Sequence, residues 1–378
     1  MRLTTLILRL LRNGIVYRFY KFTGCQAPPQ SLSIEITRRC VAKCRMCNIW
    51  KTRPDSPELS AGSWLRLLSS PVLRNLRELD ITGGEPFLRD DLPDLLKGIV
   101  DLKGTRLRQL RSVAITSNGF LTDRISSVMS QAVPMLKEAN LELVMVFAMD
   151  GIGAIHDEIR QVRKGWQKLD SSIAALKQIR ETHSNVVIGL KTTVLPINVT
   201  ELEGIVSYAE ENGLFTIISP CIITENRYDN ADLKKNLRFG VEDIEKMRAF
   251  YESSRFMWGY HRDMLLHFLH KGTVVKPCSA GFNYFFVKSN GDVYPCPLIV
   301  CNLGNVEETS VDELMGGSKA REFRRKIGAR RECKTCTEPG LERYALPFEG
   351  FHYLNLLRKL STKEFLDLHE HMGLGKYV

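Results

Sequence analysis

From residue 31 onward, short apolar runs alternate with stretches of helical periodicity. The runs are 32–36, 78–82, 113–117, 141–149, 186–194 and 215–219, each rich in β-branched residues. Such runs suit strands buried on both faces of a parallel sheet. Between them, 61–70, 92–102, 122–139, 167–183 and 200–212 repeat apolar residues at helical spacing. Six strand–helix repeats predict an α/β fold with right-handed crossovers, either a partial barrel or an open doubly wound sheet.

The flanks differ. Within residues 1–20, Leu3, Leu6, Ile7, Leu10 and Leu11 share one helical face, and Arg2, Thr5, Arg9, Arg12 and Asn13 share the other. This predicts a basic amphipathic helix closed by Gly14. Packing on the protein's own barrel is the favoured expectation, and peripheral contact of residues 1–14 with an anionic membrane surface is the alternative. Arg9 and Arg12 interrupt the apolar run, so no membrane span is expected. Beyond Pro220 lies a polar stretch to Gly240, then a helix-like segment to about His270. The tail from Leu341 to Leu374 predicts one amphipathic helix with Leu354, Leu357, Leu360, Phe365 and Leu368 on its apolar side.

The chain has 378 residues, 44% of them hydrophobic and 25% charged, ordinary values for a globular protein. Its formal net charge is +10, with Arg321, Arg324, Arg325, Lys326, Arg330 and Arg331 concentrated near 319–334. No nucleic-acid motif or aromatic interleaving accompanies that cluster, so it predicts a solvated helix face and no nucleic-acid partner. Seven of the ten cysteines fall in two ligand-like clusters, which suits metal in a reducing compartment rather than disulfides. A cytoplasmic location, with membrane association as an addition, is the corresponding expectation.

The first cluster, Cys40, Cys44 and Cys47, has the spacing C-x3-C-x2-C and follows the first strand. Three thiolates on one loop can hold three corners of a cubane and leave one iron open, whereas structural zinc takes four ligands. Gly83-Gly84-Glu85-Pro86 follows the second strand, Ser117-Asn118-Gly119 the third, and Asp150-Gly151 the fourth. All lie at carboxyl ends of strands, where α/β active sites assemble. The second cluster has Cys278 and Cys296 outside a hairpin turning at Ser289-Asn290-Gly291, then the pair Cys333-x2-Cys336. Four thiolates so placed fit either a structural zinc or a fully ligated [4Fe–4S] cluster.

Together these motifs resemble the radical SAM enzymes. The resemblance implies a partial (β/α)6 TIM-like barrel with a small C-terminal β-hairpin and helix module that binds a second cluster. It implies S-adenosylmethionine chelated to the open iron of a [4Fe–4S] cluster at Cys40, Cys44 and Cys47. One-electron reduction would cleave it to a 5′-deoxyadenosyl radical that abstracts a substrate hydrogen. Gly83, Gly84, Glu85 and Pro86 match the loop that binds the methionyl amino group, and Ser117 and Asn118 match a position contacting the cofactor. Met149-Asp150-Gly151, His156 and Arg160 resemble a segment of the subgroup with auxiliary clusters, in which Ala148 replaces a serine and Arg160 is a carboxylate partner. Met46 stands where many members carry an aromatic residue. Lys191 and Thr193 are expected to face the lumen.

The C-terminal motif resembles the twitch form of the SPASM domain, which implies one auxiliary [4Fe–4S] cluster at Cys278, Cys296, Cys333 and Cys336. Cys301 is expected as a buried free thiol near that cluster. Cys25 and Cys221 are expected to pack, with Cys221 near the pocket. Glu225, Tyr228, His261 and Asp263 are expected in a solvated linker.

The expected organisation is an extension over 1–30, a core barrel over 31–223, a linker over 224–275, a cluster domain over 276–340 and a terminal helix over 341–378. The expected function is a radical SAM oxidoreductase that oxidises an unidentified substrate through the auxiliary cluster, reduced by a flavodoxin- or ferredoxin-type partner. The alternatives are redox-neutral modification of a peptide or lipid precursor, and a non-catalytic iron–sulfur protein.

Overall fold

The computed structural model describes residues 3–51, 57–253, 259–371 and 373–377; Arg2, assigned to the N-terminal helix, lies outside them. All six expected strands form: β1 (Ser31–Thr37), β2 (Glu78–Gly83), β3 (Ser112–Ser117), β4 (Glu142–Ala148), β5 (Val186–Val194) and β6 (Phe215–Pro220). Each pairs in parallel with its sequence neighbour, as right-handed crossovers require. The helices that follow α1 (Leu3–Thr23) are α2 (Ala61–Leu68), α3 (Leu92–Thr105), α4 (Thr122–Glu138), α5 (Ala154–Arg160), α6 (Gly165–Thr182) and α7 (Leu202–Asn212). Ser60 starts α2 by accepting a bond from the Ser63 amide at 3.1 Å, leaving Trp64, Leu67 and Leu68 to face the core. Ile34, Leu79, Ile81, Val113, Ile115, Leu143 and Met145 point to the same helix-covered side.

The sheet is open rather than closed, with strand order β6-β5-β4-β3-β2-β1-β7-β8. The last two strands are the predicted C-terminal hairpin, β7 (Tyr284–Val287) and β8 (Val293–Tyr294), which turns at Gly291 with φ +92°. β7 lies parallel against β1, with Ser31 opposite Tyr284 and Ile34 opposite Val287. The cluster module thus extends the main sheet.

Three expectations about the flanks change. Gly14 does not end α1, which runs to Thr23; it is buried where the Phe351 ring crosses, and a Cβ there would fall inside that ring. The tail is not one helix. After α8 (Val241–Glu252), α9 (Gly259–Lys271), α10 (Val311–Gly316) and α11 (Ser318–Lys326) come α12 (Pro339–Glu349), α13 (Phe351–Leu356) and α14 (Thr362–His371). Gly350, at φ +75°, breaks the run where it presses on the α1 backbone at Leu10 and Gly14. Leu6 and Leu10 join Leu346, Tyr353 and Phe365 in a second core, so α1 packs on the protein itself, but mainly on the C-terminal helices α12 and α13 rather than on the barrel strands. The basic stretch is solvated except for Arg324, which is buried and donates to the carbonyls of Gly24 (2.7 Å), Met315 (2.8 Å) and Gly281 (3.3 Å).

Candidate functional site

The motifs converge where the strands end. A cavity there is lined by Cys40, Cys44 and Cys47, by Gly83, Gly84, Ser117, Asn118 and Arg160, and deeper by side chains of the strand interior. The cysteine loop has little regular structure and is held from outside. Lys43 and Arg45 amides donate to the carbonyls of Arg160 (3.2 Å) and Ile159 (2.9 Å) at the end of α5. From the other side, Asn230 donates to the Met46 carbonyl (2.8 Å), and Asn48 donates to Asp232 (2.7 Å). Burial pushes Cys40 up to about 12 and Cys47 up to about 11, so the bare thiols are protonated at neutral pH.

The glycines act through close approach. A Cβ at Gly83 would collide with the Thr37 carbonyl, and one at Gly84 with the Arg39 carbonyl. Without side chains, Gly84 and Glu85 amides donate to those same two carbonyls, each at 2.8 Å, welding the loop after β2 to the cysteine loop. Glu85 is fully buried, and neither it nor Pro86 lines the cavity. Its carboxylate accepts bonds from the Asn118 amide (2.8 Å), the Ser117 hydroxyl (3.0 Å) and the Phe87 amide (3.2 Å). It therefore fixes the loop after β3, and burial holds its pKa up at about 7.

Arg160 pairs with buried Asp150 at 2.6 Å and reaches the Cys44 sulfur at 3.6 Å. Asp150 in turn accepts from the Thr193 amide at 2.8 Å, tying α5 to β5. His156 is fully buried with its ring between Phe120 and Trp166, and its Nδ1 accepts from the Asp150 amide at 3.2 Å. Burial, then the nearby Arg160 charge, drives its pKa down to about 3, so it is neutral and structural.

Of the floor of the cavity, sequence patterns found Lys191 and Thr193 and missed the rest. Ser33, Asp80, Thr82, Thr116, Lys191 and Thr193 line it at alternate strand positions, while the intervening apolar residues fill the core. That alternation was a usable signal, above all an aspartate inside the run Leu79-Asp80-Ile81. Arg227 and Tyr228, from the stretch expected to be solvated linker, also line the cavity. Arg227 bonds Glu35 at 2.5 Å and Thr82 at 2.9 Å. Glu338 meets Lys191 at 3.5 Å from the C-terminal side. His261 is buried against Glu342 at 3.1 Å rather than solvated, whereas Glu225 is exposed and Asp263 is half-exposed beside Lys359. Asp80 accepts a bond from Ser33 (2.8 Å), and burial raises its pKa.

A second cavity gathers Cys278, Cys296, Cys333 and Cys336, beside the buried Lys276. Cys301 is half-buried and is not among its lining residues. Cys25 is exposed, contrary to expectation, and Cys221 lines the first cavity. Leu298 and Leu341 line both cavities and form the wall between them. Among the described residues, no three His, Cys, Asp or Glu side chains meet at single-ion distance. A cubane takes each thiolate on a separate iron, so it does not need them to meet at one point.

Comparison with known proteins agrees. The model of the radical SAM superfamily matches residues 34–209, and that of the SPASM iron–sulfur cluster-binding domain matches residues 278–337. The chain belongs to the radical SAM superfamily and carries a SPASM domain. Its cofactors are accordingly S-adenosylmethionine, a [4Fe–4S] cluster and auxiliary iron–sulfur. The sporulation killing factor maturation protein SkfB of Bacillus subtilis is 23% identical over 85% of this chain and 72% of that protein. The AdoMet-dependent heme synthase of Oleidesulfovibrio alaskensis is 26% identical over 77% of this chain and 75% of that protein. Streptococcus suis SuiB bound to S-adenosylmethionine has the same fold at TM-score 0.59 and 17% identity, covering 93% of this chain and 79% of that one. anSMEcpe with bound AdoMet and Cp18Cys peptide does so at TM-score 0.56 and 21% identity, covering 90% and 97%.

Proposed function

We propose that this radical SAM enzyme oxidises a side chain of a peptide or protein substrate held on the floor of the first cavity. The observation that carries the proposal is the wall shared by the two cysteine-lined cavities at Leu298 and Leu341. A substrate on the floor lies between the two cofactor sites. The relationship to SkfB, named as a maturation protein, and the fold shared with a peptide-bound anSMEcpe support the substrate class.

Cys40, Cys44 and Cys47 would hold the first cluster, with the loops of Gly83-Gly84 and Ser117-Asn118 around S-adenosylmethionine and Arg160 beside them. Cys278, Cys296, Cys333 and Cys336 would hold the auxiliary cluster. When bound, these cofactors supply one-electron cleavage of S-adenosylmethionine and removal of a hydrogen atom from the substrate. Oxidation then requires one electron and one proton to leave. Leu298 and Leu341 are the short apolar barrier towards the electron acceptor. Asp80 is the proton acceptor: it lines the floor, and among the described residues it has no cation within ion-pair distance. A flavodoxin- or ferredoxin-type donor would reduce the first cluster.

The test is anaerobic. Iron-loaded protein is given S-adenosylmethionine, dithionite and a randomised peptide library with deuterated side chains. Deuterium in 5′-deoxyadenosine, together with peptides lighter by two hydrogens, is the expected result. Labelled 5′-deoxyadenosine with peptides of unchanged hydrogen count would refute the oxidation. Unlabelled 5′-deoxyadenosine formed at the rate of a peptide-free control would refute the substrate class.

A further inference from the structure

The outward face of α1 is apolar. Leu8 is 67% exposed, Ile15 67%, Phe19 60% and Phe22 85%, with Leu11 between them also exposed. On a helix of 3.6 residues per turn these five side chains fall within about 80° of one another. Leu6, Leu10 and Gly14 lie on the opposite side and are buried against the C-terminal helices. The helix therefore has two apolar faces, of which the described residues cover only one. Among the described residues, α1 carries six of the eleven exposed large hydrophobic side chains.

Charge identifies the occupant. The 21 residues of α1 contain no acidic side chain; Arg12 is exposed at one margin of the stripe with Arg9 exposed further round the helix, and Arg18 is exposed at the other margin, where it pairs with Glu349 at 3.3 Å. At the far end, Arg321 and Arg325 of α11 pack against Gly24, and Lys319 and Lys326 of the same helix are exposed. A stripe of leucine, isoleucine and phenylalanine bordered by guanidinium and ammonium groups matches the boundary between acyl chains and anionic headgroups. Among the described residues no helix is long and apolar enough to cross a membrane, so such a helix would lie in the plane of the surface.

We propose that α1, through Leu8, Leu11, Ile15, Phe19 and Phe22, docks this enzyme on an anionic lipid surface, with the basic side chains of α1 and α11 contacting the headgroups. The contact extends well past residue 14, because the helix does not stop at Gly14.

The experiment sediments the iron-loaded full chain with vesicles of phosphatidylglycerol and phosphatidylcholine, or of phosphatidylcholine alone. Preferential binding to the anionic vesicles, weakened by salt, is expected. Ile15→Ser/Phe19→Ser/Phe22→Ser should lower binding about tenfold or more, and Arg9→Gln/Arg12→Gln should lower it on anionic vesicles only. Each side chain points outward, so unchanged iron content and melting temperature confirm that the variants fold. Equal binding by the serine variant would overturn the proposal. So would a wild-type chain that ignores both vesicles, whether it stays monomeric or self-associates by light scattering through the same stripe.

Discussion

The ion pair between Asp150 and Arg160 offers the sharpest check on how the site is held. Asp150 is fully buried and Arg160 8% exposed, with 2.6 Å between their charged atoms. Arg160→Met leaves the carboxylate with the Thr193 amide but no counter-charge, and Asp150→Asn leaves a buried guanidinium beside the Cys44 sulfur. Breaking one side of a buried pair costs about 3–5 kcal/mol, a large share of the ~5–15 kcal/mol that holds a domain together. The double variant removes both charges, so it should cost well under the sum, with a coupling of at least ~2 kcal/mol. Urea unfolding of the iron-loaded protein, followed by circular dichroism, measures each corner of the cycle; Arg160→Lys keeps the charge and supplies a milder corner. The Arg160 variants should also lose iron faster, since the end of α5 anchors the cysteine loop. Costs that add to within about 0.5 kcal/mol would refute the coupling.

Other outcomes follow from individual residues. Replacing Cys40, Cys44 and Cys47 together by alanine should abolish 5′-deoxyadenosine while iron analysis still finds the auxiliary cluster; replacing Cys278 and Cys296 should do the reverse, sparing S-adenosylmethionine cleavage. Asp80→Asn should leave 5′-deoxyadenosine formation intact and slow release of oxidised product by ~10²-fold or more, as lost proton transfer does. Glu85 has a folded pKa of about 7 against an ordinary 4.5, so its contribution to stability falls as pH rises through that window. By about pH 8 the carboxylate should have cost the wild type roughly 3 kcal/mol relative to its value near pH 4.5. The stability gap between wild type and Glu85→Gln should therefore move in favour of glutamine between about pH 4.5 and about pH 8, read from urea midpoints. Gly350→Ala should destabilise the packing of α1 by at least ~1 kcal/mol, because the added methyl meets the Leu10 carbonyl at a positive φ, and a lower melting temperature would register it.

Local patterns carried the parallel sheet and the rim of the site. Each strand is a short stretch rich in apolar and β-branched residues, and each motif follows its strand within a few residues, so neither depends on distant partners. What escaped was set by packing between segments far apart in the chain. Gly14 looks like a helix stop because its reason for being glycine, the Phe351 ring, lies more than 300 residues away. Tyr228 and Arg227 sit in a polar stretch with no periodicity, and only the fold of that loop over the strand ends carries them to Lys191 and Glu35. The outward stripe of α1 was hidden by the same misplaced stop, since Ile15, Phe19 and Phe22 follow Gly14. Glu85 was recognisable as part of a cofactor loop, but its burial beneath Ser117 and Asn118 was not.

The pairing of β7 with β1 bears on how the chain is made. β1 emerges from the ribosome early, yet the strand that covers its outer edge starts at Tyr284. Until then a nascent sheet of six strands ends in the unpaired backbone of Ser31–Thr37, an open edge of the kind that recruits strands from other chains. Pairing across some 250 residues is also slow to close, so the exposure lasts. The auxiliary cluster module is therefore a closing strap as well as a cofactor site, and chains truncated before residue 284 should aggregate during synthesis.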